Sequence, residues 1–284
     1  MTSTDAAPLA GADLSRLSLN QATIKYADLE TVVAECVRAG VPGVGLWREP
    51  VAEYGLARSA DLVRKAGLEV TSLCRGGFFT SADPGERAAA LEDNRRAVDE
   101  CAELGTSVLV LVSGGLPAGS TDVDGARERV ADALGELGPY AQERGVRLAV
   151  EPLHPMFCSD RCVVSTLDQA VDLASRFPVE QVGVVVDAYH VWWDPNVYQA
   201  IERAGERIAS YQVCDWVTPL PADVLLGRGM MGDGCVELAR LREAVERAGY
   251  DGPIEVEIFN QGLWDAAPRE VVDLTVERYR RHVW

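Results

Sequence analysis

Three carboxylates and one amide stand at or near the ends of apolar runs in this chain. Glu151 closes Arg-Leu-Ala-Val, and Asp187 closes Val-Gly-Val-Val-Val. Gln212 lies in Ile-Ala-Ser-Tyr-Gln-Val, and Glu257 in Pro-Ile-Glu-Val-Glu-Ile-Phe. A charged group at the end of a buried apolar run is costly unless it is paired or metal-bound. Oxygen donors of this kind suit one hard divalent cation, Mn2+ or Mg2+, with Co2+ or Zn2+ as alternatives. The side chains bring −3 and the ion +2, so oxygens of a substrate could complete an octahedron. Glu255 lies two residues before Glu257 on the same face. It is expected one layer deeper, which makes Glu257 the ligand nearer the mouth.

Further side chains form a candidate substrate shell. His190 follows Asp187 by three residues, and His154 follows Glu151 by three. Arg228 opens a Gly-rich stretch, and Arg75 stands in Cys-Arg75-Gly-Gly. Trp47, Trp192, Trp193, Trp216 and Trp264 all fall at or just beyond the C-terminal ends of apolar runs. Aromatic faces stack on sugar rings and other apolar ligand surfaces, and Trp47 and Trp216 are the expected pocket walls. His282, near the C-terminus, is expected to be inert.

Such residues act together only if the intervening elements bring them together. Eight β-rich runs alternate with amphipathic stretches: 17–20, 43–47, 69–74, 107–112, 147–151, 181–187, 208–213 and 253–259. The helices are expected at about 28–39, 56–66, 84–104, 123–144, 166–176, 196–204, 236–248 and 268–281. Asp28 is a natural N-cap, and Gly40, Gly67 and Gly105 are natural helix ends. Alternating βα units imply a parallel sheet, and eight at this length imply a closed (β/α)8 TIM barrel. No Gly-x-Gly-x-x-Gly follows the first run, which argues against a dinucleotide-binding fold. We therefore expect one barrel domain over 17–284, preceded by a flexible leader over 1–16. Active sites of such barrels form at the C-terminal ends of the strands, where these four side chains lie.

Composition narrows the partners. The chain has 284 residues, 27 Lys+Arg and 44 Asp+Glu, for a net charge of −17. Such a surface repels a phosphate backbone and an anionic membrane, so neither nucleic acid nor membrane is expected as a partner. No apolar run approaches a membrane span, and the N-terminus lacks the pattern of a signal peptide. Seven cysteines, an odd number, read as reduced thiols of a cytoplasmic protein. Cys158-x-x-x-Cys162 has no second Cys/His pair at zinc-site spacing. The surface leaves room for a homo-oligomer.

Five motifs carry a resemblance: Val-Glu151-Pro-Leu, Val-Asp187-Ala-Tyr-His190, Tyr-Gln212-Val-Cys-Asp215, Tyr250-Asp-Gly-Pro-Ile-Glu-Val-Glu257, and Arg228-Gly-Met-Met-Gly232-Asp-Gly234. Over about residues 17–281 the chain resembles the xylose isomerase-like sugar isomerase/epimerase superfamily. The resemblance implies one divalent metal held by Glu151, Asp187, Gln212 and Glu257, with Glu151 and Glu257 also carrying the proton. The usual third ligand is His; the hydroxypyruvate isomerase branch resembles this chain in having Gln. The implied activity is isomerisation or epimerisation of a small sugar-like hydroxy-carbonyl compound through a cis-enediolate. His190, Arg228, Trp47, Trp216, Arg75 and His154 would contact that substrate.

Two other readings compete. A lyase or dehydratase acting on a keto-sugar, keto-inositol or C-glycoside uses the same enediolate, with a leaving group departing next to the carbanion. A non-catalytic barrel is the second, since the His-to-Gln change could mark a binding or scaffold subunit. The superfamily's multi-zinc DNA-repair endonucleases need many His ligands and a basic face. Three His and a charge of −17 do not supply them.

Overall fold

The computed structural model describes residues 13–284. Most of the expected leader lies outside the described residues. Residues 13–16 form a turn in which Leu17 N–H donates to Leu14 O. Arg16 is tied down there by Glu246 and by the carbonyls of Gly252 and Tyr250.

Eight parallel strands close a barrel: strand one Leu17–Asn20, two Gly43–Trp47, three Glu69–Gly77, four Val108–Val112, five Arg147–Glu151, six Val182–Asp187, seven Ile208–Val213 and eight Ile254–Val256. Every strand pairs with its sequence neighbour, and strand eight pairs with strand one. Local signals set the helices between them. Asp28, Asp83, Asp122 and Thr166 each accept the N–H three residues on, which satisfies an otherwise orphan donor of the first turn. Gly40, Gly67 and Gly105 end their helices in the left-handed region, where only glycine is unstrained.

Three departures from the expected elements matter for the site. Strand eight stops at Val256, so Glu257 stands one residue beyond it. The Thr23 hydroxyl donates to Val256 O and accepts from Ile258 N–H, taking over where the ladder ends. Strand three runs on to Gly77 and contains an irregularity between Cys74 and Gly76. After strand seven, Asp215–Trp216 pairs antiparallel with Arg228–Gly229 in a two-residue ribbon. Asp215 locks this excursion by accepting from the N–H groups of Trp216, Gly232 and Val236.

The barrel interior is divided. On one side Cys74, Val110, Ala149 and Val185 form a small apolar layer. On the other, Glu255 fills the interior and is 1% exposed. It accepts from Asn20, Thr71, Ser72 and Gln212. Gly45 makes room for it, since a Cβ there would lie 2.6 Å from the Glu255 carboxyl carbon. No helix among the described residues is long and apolar enough to cross a membrane.

Candidate active site

Strand register places the expected ligands at one end of the barrel. Asp187 is paired with Gln212, and Gln212 with Glu255. Glu257 lies one layer above Glu255, and its N–H donates to Val213 O. Glu151, Asp187, Gln212 and Glu257 are 5%, 0%, 1% and 4% exposed, so all four are withdrawn from water. Glu255 is satisfied by its own donors below them, as its deeper position on the strand implies.

Charge at this level is under-compensated. Arg228 Nη1 donates to Asp187 Oδ2 and Glu257 Oε2, both at 2.9 Å. It makes no bond to the Glu151 carboxylate. Three buried carboxylates thus stand beside one guanidinium, which bonds two of them. Burial, with Glu257 and Asp187 nearby, drives the Glu151 carboxyl well above its usual range. Burial pushes Glu257 up to about 8, against the pull of Arg228. Asp187 is also raised by burial, with Arg228 opposing. Burial disfavours the charged form of each of the three carboxyls, and one guanidinium only partly offsets it.

The donor set fits a divalent cation on an independent observation. Gln212 Nε2 donates to Glu255 Oε1 at 3.0 Å, which fixes the amide's orientation. Its Oε1 is buried and has no partner. An orphaned buried acceptor costs about 1–3 kcal/mol, and a hard cation satisfies an amide oxygen. Ligating atoms of Glu151, Asp187 and His190 also lie within 4.8 Å of one another. His190, which the sequence placed in the substrate shell, thus stands beside these two carboxylates.

His190 and Arg228 form a converging pair on the cavity wall. The N–H of His154 donates to His190 Nδ1 at 3.2 Å. A backbone N–H can only donate, so Nδ1 carries no proton. Burial and Arg228 hold the His190 pKa well below its usual value, so the ring is neutral with its proton on Nε2. Nε2 lies 3.2 Å from Arg228 Nη2 and 3.7 Å from Asp187 Oδ2. Two donors therefore lie side by side, and one oxygen acceptor in front of the pair would satisfy both.

Above this floor opens a cavity of about 620 Å³. Trp47 lines it, with its Nε1 donating to Asn20 Oδ1 at 2.8 Å and its ring edge-on to Phe259. Arg75 and Trp264 line it as well. Trp216 does not: it is buried against Tyr189, Trp192 and the His154 ring. The ribbon turns it away from the mouth and into the loop core. The His154 ring packs between Trp193 and Trp216, so its part in the site is the backbone bond to His190. Trp193 donates to His190 O. His282 lies against Gly232, and its ring touches none of the expected ligands. Cys158 and Cys162 are free thiols, and Cys162 bonds Ser113.

The sequence did not single out several cavity residues: Gln21, Lys25, Glu49, Glu53, Phe78, Arg161, Leu225, Leu226 and Phe259. Most follow a strand end by a few residues. In this fold that position is itself the signal for Gln21, Lys25, Glu49 and Phe259. Arg161, Leu225 and Leu226 come from long connections with no such marker.

Comparison with known proteins agrees with this fold. The family described as xylose isomerase-like TIM barrel matches residues 33–281. A 3-dehydroshikimate dehydratase of Pseudomonas aeruginosa is 32% identical over 249 residues, covering 85% of this chain and 37% of the dehydratase. The chain thus spans little more than a third of that relative. An inosose isomerase of Bacillus velezensis is 23% identical over 276 residues, covering 92% of this chain and 95% of the isomerase. A solved protein from Sinorhizobium meliloti superposes with a TM-score of 0.92 at 45% identity, covering 95% of this chain and 99% of its own.

Proposed function

Because the chain belongs to the xylose isomerase-like TIM barrel family, we propose that it is a divalent-metal-dependent enzyme that moves a proton on a small, sugar-like hydroxy-carbonyl substrate. The family relatives it matches are isomerases, epimerases and dehydratases. The observation that carries the reading is the pair of buried, charge-starved carboxyls, Glu151 and Glu257. Both line one cavity, and Asp187 and Arg228 lie against them.

Glu151, Asp187, Gln212 and Glu257 would hold the cation, Mn2+ or Mg2+ by the hardness of its oxygen donors. When bound, the ion would polarise a carbonyl and an adjacent hydroxyl and so acidify the proton between them. The chain's own groups do the rest. One of Glu151 and Glu257 takes the α-proton, leaving a cis-enediolate. The other returns a proton, to the opposite face in an epimerase or to the neighbouring carbon in an isomerase. His190 Nε2–H and Arg228 Nη2 converge on a substrate oxygen and help carry its developing negative charge. Trp47 covers the apolar side of the substrate and keeps water from the carboxyls.

A dehydratase is the second reading, favoured by the 32% identity to a 3-dehydroshikimate dehydratase. Its first step is the same abstraction. The second carboxyl would then protonate a departing β-hydroxyl, which leaves as water.

Glu151→Gln and Glu257→Gln test the core of the proposal. Each keeps an oxygen and loses the base, so kcat should fall about 10²-fold or more with a smaller loss of metal affinity. Solvent-deuterium exchange across a panel of ketoses and keto-acids, followed by NMR, reads the steps apart. The variant lacking the abstracting base loses exchange, while the variant lacking only the returning acid retains it. Loss of water from a substrate marks the dehydratase. Near-normal turnover in both variants removes these residues from the mechanism.

A further inference from the structure

Strand three carries a bulge at one residue. Cys74 pairs with Val110 and Gly76 with Leu111, so Arg75 is the extra residue between them. A bulge re-aims the side chain it carries, and Arg75 lines the cavity. Its guanidinium lies over the rings of Trp47, at 5.7 Å, and Phe78, at 5.0 Å. Among the described residues it has no carboxylate partner and no hydrogen-bond acceptor. Arg48, the residue after Trp47, is by contrast held by both Asp93 and Glu100. In a chain with 44 acids and 27 bases, a half-buried arginine left on aromatic faces inside a cavity calls for an anionic partner.

We infer that Arg75 seats a carboxylate of the substrate, which makes the substrate a hydroxy-keto acid. This rests on the reading of the cavity as the site of proton transfer. A guanidinium resting on aromatic faces keeps its edge N–H donors free, and their fork matches a carboxylate. Lys25, stacked on Trp264, and Arg161 line the same cavity, as do Glu49 and Glu53. Apart from Arg228, Glu151 and Glu257 on the floor, three cations and two anions line the wall, a net of +1. That balance suits a monoanionic carboxylate better than a phosphate dianion.

Calorimetric titration of the manganese-supplemented full chain with D-fructuronate, D-fructose and D-fructose 6-phosphate tests the assignment. These ligands share a carbon skeleton and differ at one end. Fructuronate should bind about 10- to 100-fold more tightly than fructose, the range for a charge-assisted pair. Arg75→Met should abolish that preference, bringing fructuronate affinity down to the variant's own affinity for fructose. Arg75→Lys, which keeps the charge and loses the fork, should retain part of it. Equal affinities of the wild-type protein for fructuronate and fructose, absence of binding by both included, overturn the assignment. So does a preference that persists in Arg75→Met. Tightest binding of fructose 6-phosphate overturns the carboxylate in favour of a phosphate. Deuterium exchange on the same ligands is read separately. Exchange without a carboxylate preference removes the role of Arg75 and leaves proton transfer standing, and carboxylate-selective binding without exchange does the reverse.

Discussion

Gln212→Met separates a ligand from a structural residue. Gln212 makes one bond to Glu255 and leaves one buried oxygen orphaned. Met fills a similar volume and offers no hard donor. Without metal, the variant loses a hydrogen bond to a charged acceptor, worth about 1.5–3 kcal/mol, and an orphan penalty of about 1–3 kcal/mol. The two nearly cancel, and Glu255 keeps Asn20, Thr71 and Ser72. The melting temperature in EDTA should therefore move by no more than about 3 °C. With metal the balance changes. The wild-type oxygen gains a partner and the variant has none to offer, so Mn2+ affinity should fall about 5- to 150-fold. Differential scanning calorimetry gives the first quantity, and titration of Mn2+ followed by electron paramagnetic resonance the second. A folded variant that binds Mn2+ as tightly as the wild type would refute Gln212 as a ligand. A large loss of stability in EDTA would refute the accounting of its orphan oxygen.

Gln212→His should keep a metal and shift preference toward Co2+ or Zn2+, because imidazole replaces an amide oxygen; competitive metal titration checks this. The metal-free protein should be less stable at high pH. Glu257 is raised from 4.5 to about 8, so between these values the folded chain keeps a proton that the unfolded chain has released. That contribution is full below pH 4.5 and is lost as pH rises through about 8. Melting curves in EDTA should show it, and saturating Mn2+ should flatten the slope; a slope unaffected by metal would count against the site. His154→Ala leaves its backbone bond to His190 in place. It should lower stability by about 1–3 kcal/mol through lost ring packing and change kcat far less than Glu151→Gln, as denaturation and steady-state kinetics would show.

What could be read along the chain is what short-range physics controls. Apolar runs, Asp N-caps and Gly helix ends act within a few residues, so they marked eight βα units and most helix bounds. Because a parallel barrel puts strand C-termini at one face, that pattern also marked Glu151, Asp187, Gln212 and Glu257, and put Glu255 a layer below. Strand eight was the weakest boundary: Pro253 to Phe259 reads as one β-rich run, yet the strand ends at Val256, where Thr23 takes over backbone groups of Val256 and Ile258. Tertiary closure decided the rest. Arg228 reaches Asp187 and Glu257 because a ribbon anchored by Asp215 folds back over the strand ends, and the same ribbon buries Trp216. Arg75 faces the cavity because a bulge shifts its register against strand four. The free oxygen of Gln212 exists because Glu255, across the register, claims its nitrogen. Each outcome depends on which groups meet across strands distant in sequence, and neither residue type nor spacing encodes such a meeting until the barrel closes.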